Sequence, residues 1–357
     1  LPSFDNSGLH DLIKEWKVYA FSSHGGDMKV WFLALMVPTA VLAFSSTGQQ
    51  DCTSIDLRNE TLGTVRNQKQ MSWCYAFTAA DMMAHAQGIE DKISAADVAI
   101  AYNETKIGKI VRWLDVNVIN PKDPELRKLA HQTGFNKVAL KTSLNEGWCP
   151  ESIFPSEHWT KVTRTEAGEL EEQVPLEKAM IDISALHNIR KSLSAETLPY
   201  YYRFKNVDPV TFVNLLQTKT IAKFYTSIRK TACRDDRKPF SFDGNVKMEV
   251  KFPGVFSKIS RHLEEGRIVG LDYDSRILQD SSNHRVKISQ LHTSSIVGRR
   301  WNGERHTCEF LIRNSHGESC GVRYDPTYDC ENGNVWLSES QIFSSMTSIV
   351  YMLPHHN

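Results

Sequence analysis

The chain predicts an α+β fold in two parts, helices first and an antiparallel sheet last. Two observations carry that expectation. From Cys74 to Gln87, the small and apolar residues Ala76, Phe77, Ala80, Met83 and Ala84 recur at helical intervals, and Gly88 ends the run. Beyond residue 265, four runs (268–273, 292–297, 308–313 and 334–337) are rich in β-branched and apolar residues, as strands are. With 357 residues and an apolar share of 41%, the chain is long enough for one large domain or two ordinary ones.

Further elements follow in order. Ser94 with Asp97 three residues on is a capping signal for a second helix. Residues 135–144 read as a third, stopped near Gly147, and 256–265 as a later one closed by Gly266. In the middle, the acidic run Glu166-Ala-Gly-Glu-Leu-Glu-Glu-Gln173 is helix-prone, and 181–193 and 209–216 also read as helices. Pro199-Tyr-Tyr-Tyr-Arg203 is an aromatic cluster, read as core in preference to a binding face.

Charge excludes some partners. Lys plus Arg number 42 and Asp plus Glu number 42, so nothing pulls the chain toward nucleic acid or an anionic membrane. Met28-Lys-Val-Trp-Phe-Leu-Ala-Leu-Met-Val-Pro-Thr-Ala-Val-Leu-Ala43 has the lysine, apolar run and small-residue cleavage site of a secretory signal. The run is short for a membrane span and carries Pro38, so no stable membrane anchor is expected. Residues 1–27 are then a non-native upstream extension, and 28–43 a signal peptide directing the protein to the periplasm or outside the cell. Seven cysteines follow, an odd number, which in an exported protein leaves one free thiol. Six cysteines admit fifteen pairings. Cys320 and Cys330, which bracket a polar loop, are the favoured pair. No Cys-x-x-Cys or His-x-x-x-His spacing indicates a metal, and no cofactor is expected.

The most informative stretch is Asn67-Gln-Lys-Gln-Met-Ser-Trp-Cys-Tyr-Ala-Phe77. It sets Cys74 at a helix start, where partial positive charge and unpaired N–H groups favour a thiolate. Gln68, six residues upstream, could donate to an oxyanion. This segment resembles the N-Q-G-S-C-G-S-C-W-A-F stretch of papain-like (C1 family) cysteine peptidases. Leu-His292-Thr-Ser-Ser-Ile-Val-Gly298 resembles that family's H-A-V-x-x-V-G strand, and Phe310-Leu-Ile-Arg-Asn314-Ser-His-Gly317 its L-I-K-N-S-W-G. Three motifs stand in the family's order. Weaker echoes are Asp56-Leu-Arg58, Ile93-Ser-Ala-Ala-Asp97, Thr133-Gly134 and Gly147-Trp-Cys-Pro-Glu-Ser-Ile-Phe-Pro155.

The resemblance implies a two-lobe fold with the active-site cleft between the lobes. A left lobe over 51–156 carries the nucleophile, and a right lobe over 246–357 carries His and Asn. A helical insertion over 157–245 separates them, making this a bacterial-type member with a large insertion. The interval from Cys74 to His292 exceeds the family's ~130–150 residues by roughly 70–90. The resemblance further implies Cys74 as nucleophile, His292 as base, Asn314 as orienting residue and Gln68 in the oxyanion hole. Gly134, with Thr133 beside it, would let an extended peptide pass close, and Phe135 would wall an apolar pocket. The chain departs from the family at Met71, Trp73, Tyr75 and His316, the last standing for a tryptophan that shields the Asn–His bond.

The expected activity is therefore that of an exported, monomeric endopeptidase acting through a thioester. Its partners would be protein or peptide substrates and a protein inhibitor, with no nucleic acid. A silent binding protein on the same fold is the alternative, as is an amidase or transpeptidase using the same triad. Retention of all triad members and Gln68 favours the enzyme. No helical inhibitory segment is read between Ala43 and Gln68. The insertion is therefore expected to pack against the right lobe and narrow the cleft.

Overall fold

The computed structural model describes residues 52–58, 62–114, 134–242, 244–281, 286, 290–321 and 323–354. The extension over 1–27, the signal segment over 28–43 and Thr133 lie outside the described residues. Among the described residues no helix is long and apolar enough to cross a membrane.

The chain opens with a two-residue strand, β1 (Ile55–Asp56), then forms α1 (Cys74–Gln87), α2 (Ala95–Glu104), α3 (Lys106–Leu114) and α4 (Asn136–Glu146). Helix α1 has the bounds its periodicity predicts. It ends at Gly88, whose φ of 61° is left-handed and whose N–H reaches the Ala84 and His85 carbonyls. Ser94 caps α2 as expected, its side chain accepting from the Asp97 N–H.

The middle of the chain departs from its sequence reading. It begins with β2 (His158–Thr165) and β3 (Gly168–Pro175), then α5 (Leu176–Asn188), β4 (Tyr200–Arg203), α6 (Pro209–Thr218) and α7 (Ile221–Ala232). Strands β3-β2-β4 make a small antiparallel sheet. The Glu-rich run read as helix is therefore strand. Its glutamates gain partners across the sheet, Glu169 and Glu171 both pairing with Arg203. The whole of β3 pairs in register with β2, a long-range ladder that overrides local helix propensity. The tyrosine cluster is core as read, with Tyr201 and Tyr202 buried.

The last third holds β5 (Gly244–Val250), α8 (Val255–Glu264), β6 (Val269–Asp274), β7 (Leu291–Asn302), β8 (Thr307–Arg313), β9 (Cys330–Glu331), β10 (Asn334–Ser338), α9 (Glu339–Ser345) and β11 (Met346–Pro354). These strands form one antiparallel sheet in the order β5-β11-β6-β7-β8-β10-β9, with β1 against β7. Both faces are covered, and alternate residues go to different cores. Val297, Leu311, Val350 and Met352 join the helices on one side. Ile296, Phe310, Ile312, Ile349 and Tyr351 pack on the other, with Val255, Ile259 and Leu263 of α8.

The middle segment packs against the helices, contrary to the expected seat on the right lobe. Trp159, Tyr202, Phe212, Phe224 and Tyr225 share one apolar cluster with residues of α1 and α2. Arg229 of α7 is buried and bonds Asp97, Glu104 and Glu146 at 3.1, 3.0 and 2.9 Å. Disulfide Cys149–Cys233 ties the same surfaces together. The physical reason is charge: three carboxylates of α2 and α4 converge on one buried guanidinium, which no apolar face of the sheet could satisfy. The segment's last residues, Gly244 and Asn245, open β5 and so meet the large sheet beside β11. The remaining bridges are Cys52–Cys308 and the anticipated Cys320–Cys330, and Cys74 alone of the seven cysteines is unbridged.

Candidate active site

Cys74 is the first residue of α1. That turn has no side-chain cap and no acidic residue, so the positive end of the helix faces the thiol uncompensated. The helix is held to the sheet by Thr78, whose hydroxyl donates to the Thr293 carbonyl at 3.1 Å. This bond brings Cys74 to the start of β7, where His292 is the second residue.

Thiol and imidazole are near enough for each to shift the other's ionisation. Burial by itself pushes the Cys74 thiol up. The charge of His292, its hydrogen bond, and backbone bonds from Thr293 and Tyr75 outweigh that, and the thiol lies below its ordinary value. Burial likewise disfavours the His292 cation, yet Cys74, Asn314 and Asp272 together raise it above its ordinary value. Opposite shifts on two neighbouring groups both favour a thiolate beside an imidazolium.

The other side of the imidazole meets Asn314, with Nε2 2.7 Å from Oδ1. Asn314 follows the last residue of β8, and that residue is firmly anchored. Arg313 donates to Asp81 at 2.9 Å and to the carbonyls of Leu62, Gly63 and Thr64. Asp81 in turn accepts from Arg66 at 2.9 Å. An arginine pair about one α1 carboxylate thus sets the strand end beside the helix.

Gln68 reaches the same place from the other direction. Its N–H donates to the Ser315 carbonyl at 2.8 Å, and the Gly317 N–H donates to the Arg66 carbonyl at 3.0 Å. Its side-chain carbonyl accepts from the Ser315 hydroxyl, while Nε2 donates to the Met71 carbonyl at 2.6 Å. One of the two amide protons is so engaged, which leaves the second for an anionic oxygen.

His316 stacks on His292, the ring centroids 5.3 Å apart and the planes inclined by 10°. Burial, and then the neighbouring charges of His292 and Arg323, lower its pKa to about 3. A neutral ring therefore lies over His292 at ordinary pH, where the resembling family has an indole.

Gly134 has a protein neighbour that the sequence did not announce. A Cβ there would lie 2.5 Å from the Tyr75 ring, so the missing side chain makes room for Tyr75. Phe135 precedes α4 and packs, half-buried, against the core. Among the described residues no group of three or more His, Cys, Asp and Glu is arranged to hold a metal ion.

Several residues of this constellation were not singled out from the sequence. Ser294 donates to Asn314 Oδ1 at 3.4 Å and contacts the Tyr273 hydroxyl at 2.9 Å. Strand alternation could have found it, since Ser294 shares a face with His292. Tyr324 lies 3.3 Å from Asn314 Nδ2, and no local pattern marked it.

No protein-family model matches the chain, and no curated protein matches it. The solved structures similar to it include papain-like cysteine proteases. A recombinant stem bromelain precursor is 11% identical with a TM-score of 0.45, over 86% of this chain and 72% of that one. Bromelain from Ananas comosus in complex with E64 is 14% identical with a TM-score of 0.41, over 84% and 97%. Digestive procathepsin L 3 of the Tenebrio molitor larval midgut is 11% identical with a TM-score of 0.41, over 95% and 79%.

Proposed function

We propose that this chain is an exported papain-like cysteine endopeptidase, a bacterial-type member of that class with residues 157–245 inserted between its lobes. The observation that carries the reading is the ordered contact of three groups. Cys74 is near enough to His292 for each to shift the other's ionisation, and His292 bonds Asn314 at 2.7 Å. The three disulfides suit a protein of an oxidising compartment.

In this reading the Cys74 thiolate attacks the carbonyl carbon of a peptide bond. Negative charge moves to the carbonyl oxygen, which the Cys74 N–H and the second Gln68 amide proton stabilise. His292, protonated, gives its proton to the departing amine as the C–N bond breaks, leaving a thioester on Cys74. Water then attacks the thioester while neutral His292 takes its proton. The acid leaves and the thiolate–imidazolium pair returns. Asn314 keeps the ring aligned through both steps.

The test is treatment of the mature protein with a thiol-directed peptidyl epoxide, alongside hydrolysis of fluorogenic peptides. The wild-type protein is expected to be labelled at Cys74 and to hydrolyse peptides; Cys74→Ser is expected to do neither. Hydrolysis that survives in Cys74→Ser would overturn the reading. Labelling without turnover would favour the binding-protein alternative.

A further inference from the structure

The bond between His292 and Asn314 continues beyond the asparagine. Asn314 Nδ2 lies 3.3 Å from the Tyr324 hydroxyl, and that hydroxyl lies 3.0 Å from the Gly333 carbonyl. Asn314, Tyr324 and His292 are all buried, at 2, 6 and 7% exposure, where hydrogen bonds are stronger than in water.

The polarity of this chain of bonds runs one way. A backbone carbonyl only accepts, so the Tyr324 O–H must donate to Gly333. Its oxygen then accepts from Asn314, which orients Nδ2 toward Tyr324 and Oδ1 toward His292. An amide oxygen only accepts, so the proton must sit on His292 Nε2. Nδ1 is left to receive the proton of Cys74. Resting on the peptidase reading, we infer that Tyr324 is a positioning residue that selects the His292 tautomer and amide orientation on which Cys74 ionisation depends.

Two features of the fold support this assignment. The Gly333 carbonyl is itself rigidly placed. Asn332 and Gly333 both have positive φ, 48° and 75°, as an Asn-Gly hairpin turn between β9 and β10 requires. A Cβ on Gly333 would strike the Gly317 carbonyl, so this turn is pressed onto the loop that holds Asn314 and His316. Tyr324 is fixed from the other side by the Cys320–Cys330 bridge that closes its loop. The Ser315 N–H, which donates to Asn314 Oδ1 at 2.8 Å, also favours this amide orientation, so the effect of losing Tyr324 is partial.

The same loop provides its own control. Tyr328 is buried at 7%, beside 6% for Tyr324, and its hydroxyl donates to the Ile277 carbonyl at 2.7 Å. Among the described residues its hydroxyl makes no hydrogen bond to Asn314. Both substitutions keep the ring: Tyr328→Phe removes one phenol bond to a backbone carbonyl, and Tyr324→Phe removes such a bond and the one from Asn314 as well.

The groups that face His292 are Cys74 on α1, Asp272 and Tyr273 on β6, and His316 beyond β8; neither substitution alters any of them. The experiment follows the pH dependence of Cys74 alkylation by iodoacetamide, and of peptide hydrolysis, in both variants and in Asn314→Ala. In Tyr324→Phe the imidazolium is less well held. Its alkaline inflection is expected to move to lower pH while the acid inflection stays. Peptide kcat is expected to fall about 3- to 10-fold, as loss of the neutral Asn314–Tyr324 hydrogen bond implies, with KM unchanged. Tyr328→Phe keeps the wild-type profile, and Tyr324→Phe adds nothing in an Asn314→Ala background. An alkylation profile of Tyr324→Phe that matches wild type, or one shared by Tyr328→Phe, would overturn the inference. The alkylation readout needs no turnover, so absent hydrolysis would count against the peptidase reading alone.

Discussion

The imidazole rings of His292 and His316 lie parallel, 5.3 Å between centroids, one raised in pKa and the other lowered to about 3. Two cations cannot share this stack cheaply, and His292 takes the charge because Cys74 faces it. His316 therefore remains neutral over a wide range of pH.

This arrangement makes acid stability depend on His316. In the unfolded chain the residue titrates near 6.5, and in the fold at about 3. Between those values the unfolded chain binds the extra proton. Stability is thus fully present above about pH 6.5 and declines as pH falls toward about 3. His262, lowered to about 4, adds in the same direction. His316→Phe is expected to raise the melting temperature at pH 4 to 5 relative to wild type and to change it less at pH 8. An equal shift at both pH values would show that ring packing, not protonation, is responsible.

Cys74 is expected to be the thiol that reacts in the oxidised protein, since each of the other six cysteines is bridged. Because its thiol lies below the ordinary range, alkylation should persist near pH 6, where an unperturbed thiol of pKa ~8.5 is almost wholly protonated. Mass spectrometry of the native, unreduced protein maps the adduct. A major adduct elsewhere would contradict the assignment.

His292→Ala should lower peptide hydrolysis by about 10²–10⁴, the range for loss of a general acid–base group. Asn314→Ala should cost less, since asparagine orients the ring without carrying a proton. Steady-state kinetics on one fluorogenic peptide ranks the two. Wild-type rates in His292→Ala would end the triad reading.

Arg229→Met removes the single guanidinium that Asp97, Glu104 and Glu146 share. Asp97 is 1% exposed, and although Arg237 remains bonded to it, burial without Arg229 should cost about 3 kcal/mol. Urea unfolding measures this as a lower midpoint. A variant lacking 157–242 strips the aromatic half of the shared core, and it is expected to be recovered unfolded by circular dichroism.

Local sequence carried the helix at Cys74, since period and Gly88 agree, and the strands at His292 and Asn314, since their residues are β-branched and apolar. The same signals failed where partners lie far away. Strand β3 is glutamate-rich and was read as helix; its ladder with β2, and Arg203 over thirty residues on as partner to two of its glutamates, have no local signature. Strand β11, running between β5 and β6, passed unread despite its apolar content. The seat of the middle segment was decided by Arg229 and by Cys149–Cys233, neither of which has a local signature. At Gly134, read for a substrate's approach, the fold adds a second need for the missing Cβ, the Tyr75 ring, which no local pattern announced.

The two-sided burial of the large sheet bears on how the site moves. Strands β6, β7 and β8 lie at its centre, hydrogen-bonded on both edges and covered on both faces. Amide protons there exchange with solvent only through large-scale opening, whereas those along the exposed outer edge of β3 exchange by local fraying. His292 and the anchor of Asn314 belong to the slow class, and α1 is bound to them through Thr78 and Asp81. Small fluctuations of the native state therefore do not part Cys74 from His292. Separation requires an excursion that costs nearly the whole stability of the fold, so heat and denaturant should silence the thiol's reactivity together with the global transition and not before it.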